Sequence, residues 1–220
     1  MKKLISSLVA VGALAISAQA NATVFDFQDL VDNGNEDGGV FSGTLGDGTN
    51  PADFITDVAA NGEAGFSTFS WTKGATTLTV DGGADYAYLD KGKAGLGVCK
   101  VLTTSDQCDP GNDDNVTLGE VLNFGFSSGH DVDLNASTFR KANHGLLADL
   151  SDIEVNIDGG GWLDLTANLN FYATNFSLRT TDDSSQFYID ALSVSVAEPA
   201  TVALMGLGLA GLGVVRRRKA

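Results

Sequence analysis

Residues 163–173 set Leu163, Leu165, Ala167, Leu169, Phe171 and Ala173 at every second position, with Asp164, Thr166, Asn168, Asn170 and Tyr172 between them. Only an extended chain turns such a period onto one face, because successive strand side chains point to opposite sides. The run therefore predicts a half-buried antiparallel strand. Leu122, Phe124 and Phe126 repeat the pattern, as do Ile153, Val155 and Ile157, and shorter candidates lie at 25–27, 66–71, 76–80, 86–89, 132–134 and 176–178. Asp81-Gly82-Gly83 and Asp158-Gly159-Gly160-Gly161 supply the turns between them. With 27 Gly and only 3 Pro, the composition favours strands and tight turns over helices. A helix is predicted only around residues 144–150, and residues 33–61 read as long loops. Residues 23–196 are thus expected to form one all-β domain, an antiparallel β-sandwich or jelly roll.

The two ends have a different character. Residues 1–22 open with Lys2-Lys3, continue through an apolar stretch and close on Ala20-Asn21-Ala22. That order predicts a signal peptide cut by signal peptidase after Ala22, with Ala20 and Ala22 as the small residues of the cleavage site. Residues 197–220 contain an uncharged stretch after Pro199 that runs into Arg216-Arg217-Arg218-Lys219. Its length suits a transmembrane helix, and the basic cluster would stay cytoplasmic.

Glu198-Pro199-Ala200-Thr201, the apolar stretch and Arg216, Arg217 and Arg218, in that order, resemble the PEP-CTERM sorting signal of Gram-negative bacteria. Ala197 stands where that family has its first proline. The resemblance implies that the chain is exported across the inner membrane, held transiently by the C-terminal helix, then processed by an exosortase and left at the cell surface or outside. Gly95-Leu96-Gly97-Val98-Cys99, Asp106-Gln107-Cys108-Asp109 and residues 113–122 also resemble a block shared by extracellular PEP-CTERM proteins. That block implies a common fold and carries no activity with it.

Charge narrows the function classes. Residues 4–215 hold seven basic and 28 acidic residues, a formal charge of −21. So acidic a body repels phosphate backbones, which excludes nucleic acid as a partner. Gly206-Leu207-Gly208-Leu209-Ala210-Gly211 has the spacing of a dinucleotide loop but lies in the apolar stretch, without a preceding strand or a following acid. Gly125-Phe126-Ser127-Ser128-Gly129 has the spacing of a nucleophile elbow, yet a strand pattern follows where the elbow needs a helix. His130 and His144, the two histidines, read as surface residues. The chain is therefore expected not to be an enzyme.

Cys99 and Cys108 are the only cysteines and are expected to pair in the oxidising exterior, which would stabilise the fold by about 2.5 to 3 kcal/mol. Calcium is the ion that Asp-rich turns suit best. Asn33, Asn35, Asp37 and Gly38 match half of a calcium loop, and Asp106, Asp109, Asp113 and Asp114 crowd the cysteine loop, where a solvated acidic turn is the competing reading. The third candidate is Asp190, on a strand face shared with Tyr188, Leu192 and Val194; the opposite face, with Phe187 and Ile189, is the alternative buried one. The segment around it resembles the last strand of jelly-roll carbohydrate-binding modules, which implies a structural calcium shared with Asp26 of the first strand. The expected function is a secreted structural protein of the surface or of an exopolysaccharide matrix and biofilm. The alternative is a carbohydrate-binding module that stacks extracellular polysaccharide on Trp71, Trp162 or exposed tyrosines, with core packing the competing role for both tryptophans.

Overall fold

The computed structural model describes residues 22–34, 38–46 and 63–196. Asn21–Val196 form one compact unit. Its strands are β1 (Ala22–Asp26), β2 (Val40–Leu45), β3 (Ala64–Lys73), β4 (Thr76–Asp81), β5 (Tyr86–Asp90), β6 (Gly95–Cys99) and β7 (Leu122–Asp133). They continue with β8 (Phe139–Arg140), β9 (Ile153–Ile157), β10 (Trp162–Asp164), β11 (Asn170–Thr180), β12 (Tyr188–Ile189) and β13 (Ala191–Ser195). One helix, α1 (Phe27–Asn33), follows β1.

The fold is all-β and antiparallel, as expected, and its strands form a single curled sheet. The main path runs β10-β9-β11-β7-β4-β3-β5-β6-β12-β8, with β2 added on β3 and the β1–β13 pair added on β7. Two long strands make the curl by changing partners along their length. β3 pairs with β5 through Ala64 to Phe66 and with β4 from Phe69 onward. β7 pairs with β4 up to Phe126 and with β13 from Asp131. Between those halves residues 126–129 bulge opposite Thr174, where the β7–β11 register shifts. A bulge bends a strand and raises its twist, so the sheet turns back over its own apolar face. That face is rich in aromatic rings: Phe124 stacks on Phe176 at 4.6 Å between centroids, and Phe25 meets the Trp71 edge at 5.4 Å. Burying each such ring contributes roughly 1.5 to 3 kcal/mol.

The 163–173 alternation is not one strand. β10 ends at Asp164, whose carboxylate accepts from Thr166 N at 2.7 Å and Thr166 Oγ1 at 2.6 Å, and a 3-10 turn over Leu165–Ala167 follows. Leu165 is buried inside that turn, whereas Leu163 remains 43% exposed. A local side-chain cap here outcompetes the ladder.

Residues 144–150 are not helical: a bend leads into an isolated bridge between Leu146 and Arg140, and irregular chain follows. A helix lies instead at α1; of the 25–27 segment expected to be extended, Phe25 and Asp26 are in β1 and Phe27 opens the helix. Asp26 ends β1 and accepts from Asp29 N at 2.7 Å, Phe27, Leu30 and Val31 are buried, and Gly34 closes the helix with φ of 72°. Of the expected loops at 33–61, residues 40–45 are β2, and residues 35–37 and 47–62 lie outside the described residues.

Candidate functional site

The register of the β3–β5 pair brings two acids together. Ala64 pairs with Leu89, so the next step of the ladder sets Glu63 opposite Asp90. A third acid arrives from a crossing segment. In β6, a Cβ on Gly97 would stand 2.1 Å from the Asp114 carbonyl oxygen, so only glycine lets residues 113–115 cross this strand so closely. Val116 and Phe187 exchange backbone hydrogen bonds of 2.8 and 3.2 Å, which fixes the crossing beside Tyr188. The Tyr188 hydroxyl donates to Asp114 Oδ1.

Glu63, Asp90 and Asp114 thus present carboxylate oxygens that all lie within 4.8 Å of one another. Asp90 is 4% exposed and Asp114 7%, while Glu63 is half-buried at the margin. Burial, then the Asp114 charge and Glu63, pushes the Asp90 carboxyl up to about 8. Burial likewise raises Asp114, against the opposing hydrogen bond from Tyr188. The Tyr88 and Tyr188 hydroxyls are raised by the same burial. His144 is the cationic candidate nearby. It has a left-handed φ of 62°, its Nδ1 lies 2.9 Å from the Gly92 carbonyl, and its Nε2 lies 3.1 Å from Asp90 Oδ2. That contact lacks hydrogen-bond alignment, because Asp90 Oδ2 is buried with no hydrogen-bond partner. An all-oxygen cluster of this kind can hold a hard metal ion.

The expected calcium pair is occupied otherwise. Asp190 Oδ2 receives Arg140 Nη2 at 2.7 Å and Nε at 3.0 Å, so a guanidinium supplies the cation that its burial requires. Arg140 Nη2 also bonds Gln28 Oε1 at 3.1 Å. Asp26 spends a carboxylate oxygen on the cap of α1. The strand itself breaks at Asp190, whose carbonyl accepts from Phe27 N and Gln28 N, so Tyr188 and Ile189 are both buried and the two-face alternation does not hold. Asn33 ends α1, and Asn35 and Asp37 lie outside the described residues.

Trp71 is fully buried and offers no face to a sugar ring. Trp162 is partly exposed, with the Arg179 guanidinium 4.1 Å from its ring centroid. Among the described residues the large exposed aromatic is Tyr172, 58% accessible, beside a cleft of about 420 Å³ lined by Asp131, Asp133, Asn170 and Phe171. Gly129 makes room for it, since a Cβ there would stand 2.1 Å from the Tyr172 hydroxyl.

Ser127 lies inside the long strand β7, and no helix follows it. His130 is buried rather than exposed, with Nδ1 2.7 Å from the Ser128 carbonyl and Nε2 3.3 Å from Thr76 Oγ1. Cys99 and Cys108 are bonded and pack with Tyr88 and Leu102 in a small satellite core. Ala22 opens β1, while Ala20, Glu198, Pro199, Ala200, Thr201 and Arg216 to Arg218 lie outside the described residues. Among the described residues no helix is long and apolar enough to cross a membrane.

Residues 195–219 match the family model of the PEP-CTERM protein-sorting motif. No curated protein and no solved structure matches the chain.

Proposed function

We propose that this chain is a structural protein of the bacterial surface or of an exopolysaccharide matrix, without catalytic activity. The observation that carries the reading is the sorting motif at residues 195–219, which implies an exosortase-sorted secreted protein. It follows a compact all-β unit whose surface acids give the body its charge. Signal peptidase removes residues 1–22, the apolar C-terminal stretch holds the chain in the membrane, and exosortase then releases residues 23–196 from residues 197–220. The geometry supports the absence of catalysis. Ser127 lacks the strand-turn-helix setting of a nucleophile, and His130 bonds a backbone carbonyl and Thr76 instead of a serine. The test is intact mass spectrometry of the surface protein from cells with and without exosortase. The reading expects a form lacking the Arg216 to Lys219 tail only when exosortase is present, and an intact tail in both refutes it.

One observation favours a second reading, a carbohydrate-binding module. Tyr172 offers an exposed ring at a cleft whose Asp131, Asp133 and Asn170 supply hydrogen-bonding groups, the combination that stacks and orients a sugar. A glycan array on residues 23–196 separates the two. Selective binding abolished by Tyr172→Ala supports the module, and the absence of binding supports the purely structural role.

A further inference from the structure

We propose that Glu63, Asp90 and Asp114 bind one calcium ion, with the Asn115 side-chain carbonyl beside them as a further oxygen ligand. The first argument is charge. Three carboxylates with oxygens within 4.8 Å of one another, two of them more than nine-tenths buried, carry more negative charge when ionised than the one neighbouring base, His144, could offset. Burying such a set is unfavourable without a cation or bound protons.

The second argument comes from a neutral side chain. Asn115 is 1% exposed, and its Oδ1 has no hydrogen-bond partner. Its amide lies against the Tyr188 hydroxyl, the same hydroxyl that donates to Asp114. The amide nitrogen is the donor that suits that hydroxyl oxygen, which leaves a buried carbonyl oxygen without a donor on the residue that follows Asp114. A buried carbonyl with nothing to accept is costly, and a metal ion is the partner it lacks.

The ligand set selects the ion. Carboxylate and amide oxygens suit hard cations, and a site of oxygens alone disfavours zinc. Carboxylates in this number favour calcium, because magnesium gives up its waters reluctantly and is seldom held by protein oxygens alone. Calcium also accepts irregular geometry and water at its remaining positions, which four protein oxygens at an edge open beside Glu63 would require. The ion would join the residue before β3, the end of β5 and the segment that crosses β6, three parts of the chain that no local turn connects. The role is structural, and it does not depend on what the sorted protein does at the surface.

The test uses the secreted protein stripped with a chelator and titrated with calcium chloride by calorimetry at neutral pH, with melting curves in calcium and in magnesium at equal ionic strength. One calcium per chain is expected, with a rise of several degrees in melting temperature that magnesium does not match. Glu63→Gln, at the half-buried margin, should weaken calcium binding roughly tenfold or more, while Asp183→Asn on the exposed surface should leave it unchanged. Asp90→Asn guards against a folding artefact. It should be at least as stable as the parent in chelator, because it removes a disfavoured buried charge, yet gain nothing from calcium. The proposal falls if no stoichiometric binding occurs at about 1 mM calcium, if magnesium gives the same shift, or if Glu63→Gln and Asp90→Asn keep the parent's response. Where no ion binds, protons alone neutralise the cluster.

Discussion

Glu120 shows at a single residue how burial can outweigh good partners. Its side chain is fully enclosed, accepts from Thr117 N at 2.6 Å and lies 2.8 Å from Lys100 Nζ. Burial nevertheless holds its carboxyl above the ordinary range, with Lys100 and Thr117 pulling the other way. The folded state therefore binds this proton more tightly than the unfolded state does. Its contribution to stability is complete below the unfolded carboxylate range and is lost as pH rises through the folded value. Glu120→Gln keeps an acceptor for Thr117 N and removes the titration. The stability advantage of the parent over Glu120→Gln should accordingly shrink as pH rises above about 4, read by denaturant unfolding. An advantage that stays constant with pH would show that Glu120 carries no such shift. Residue identity alone did not reveal this acid, because the acids before it read alike in sequence although Asp109 and Asp113 are not buried and Asp114 is. Asp114 was among the acids of the cysteine loop considered for calcium, but its partners Asp90 and Glu63 were hidden for a related reason. Their meeting is made by strand register and by a crossing segment, and no spacing along the chain encodes either.

At the level of elements, Gly97 is the position on which the acidic site depends. A methyl group there would collide with the Asp114 carbonyl oxygen, which is backbone and cannot swing aside. Gly97→Ala should destabilise the fold by about 3 kcal/mol and abolish the calcium response with it. Thermal melts in calcium and in chelator check both parts, and a variant with the parent's stability would mean that the crossing segment yields freely. Elements were legible where one pattern acted alone. The alternations at 122–126 and 153–157 are strands because nothing local competes with them, and the glycine turn after Asp158 separates β9 from β10 as read. They failed where a short aspartate cap intervened. Asp164 turns the chain out of the longest alternation, and Asp26 ends β1 and starts α1 one residue inside the segment read as a strand. The triplet of Phe27, Leu30 and Val31 before Gly34 was the available helix signal, and in so short an element it is easily read as part of β1. The cysteine pair was legible because two thiols in an oxidising compartment have only each other.

The molecule as a whole combines a large negative charge with a closed aromatic core. A formal charge of −21 over residues 4–215 favours solubility and mutual repulsion between copies, while the curled sheet keeps its cohesion in rings that salt does not screen. The route of the sheet also has a consequence at its two ends. β1 and β13 are hydrogen-bonded neighbours, with Ala22 paired to Ser195, so the body begins and finishes on adjoining strands. Such a chain can be circularly permuted. A short glycine-serine bridge from Val196 to Ala22, with new termini opened between Gly160 and Gly161, should fold to a monomer that melts within several degrees of the parent. A permutant that aggregates or melts without cooperativity would show that the order of synthesis, and not only the final pairing, is needed to close the curl.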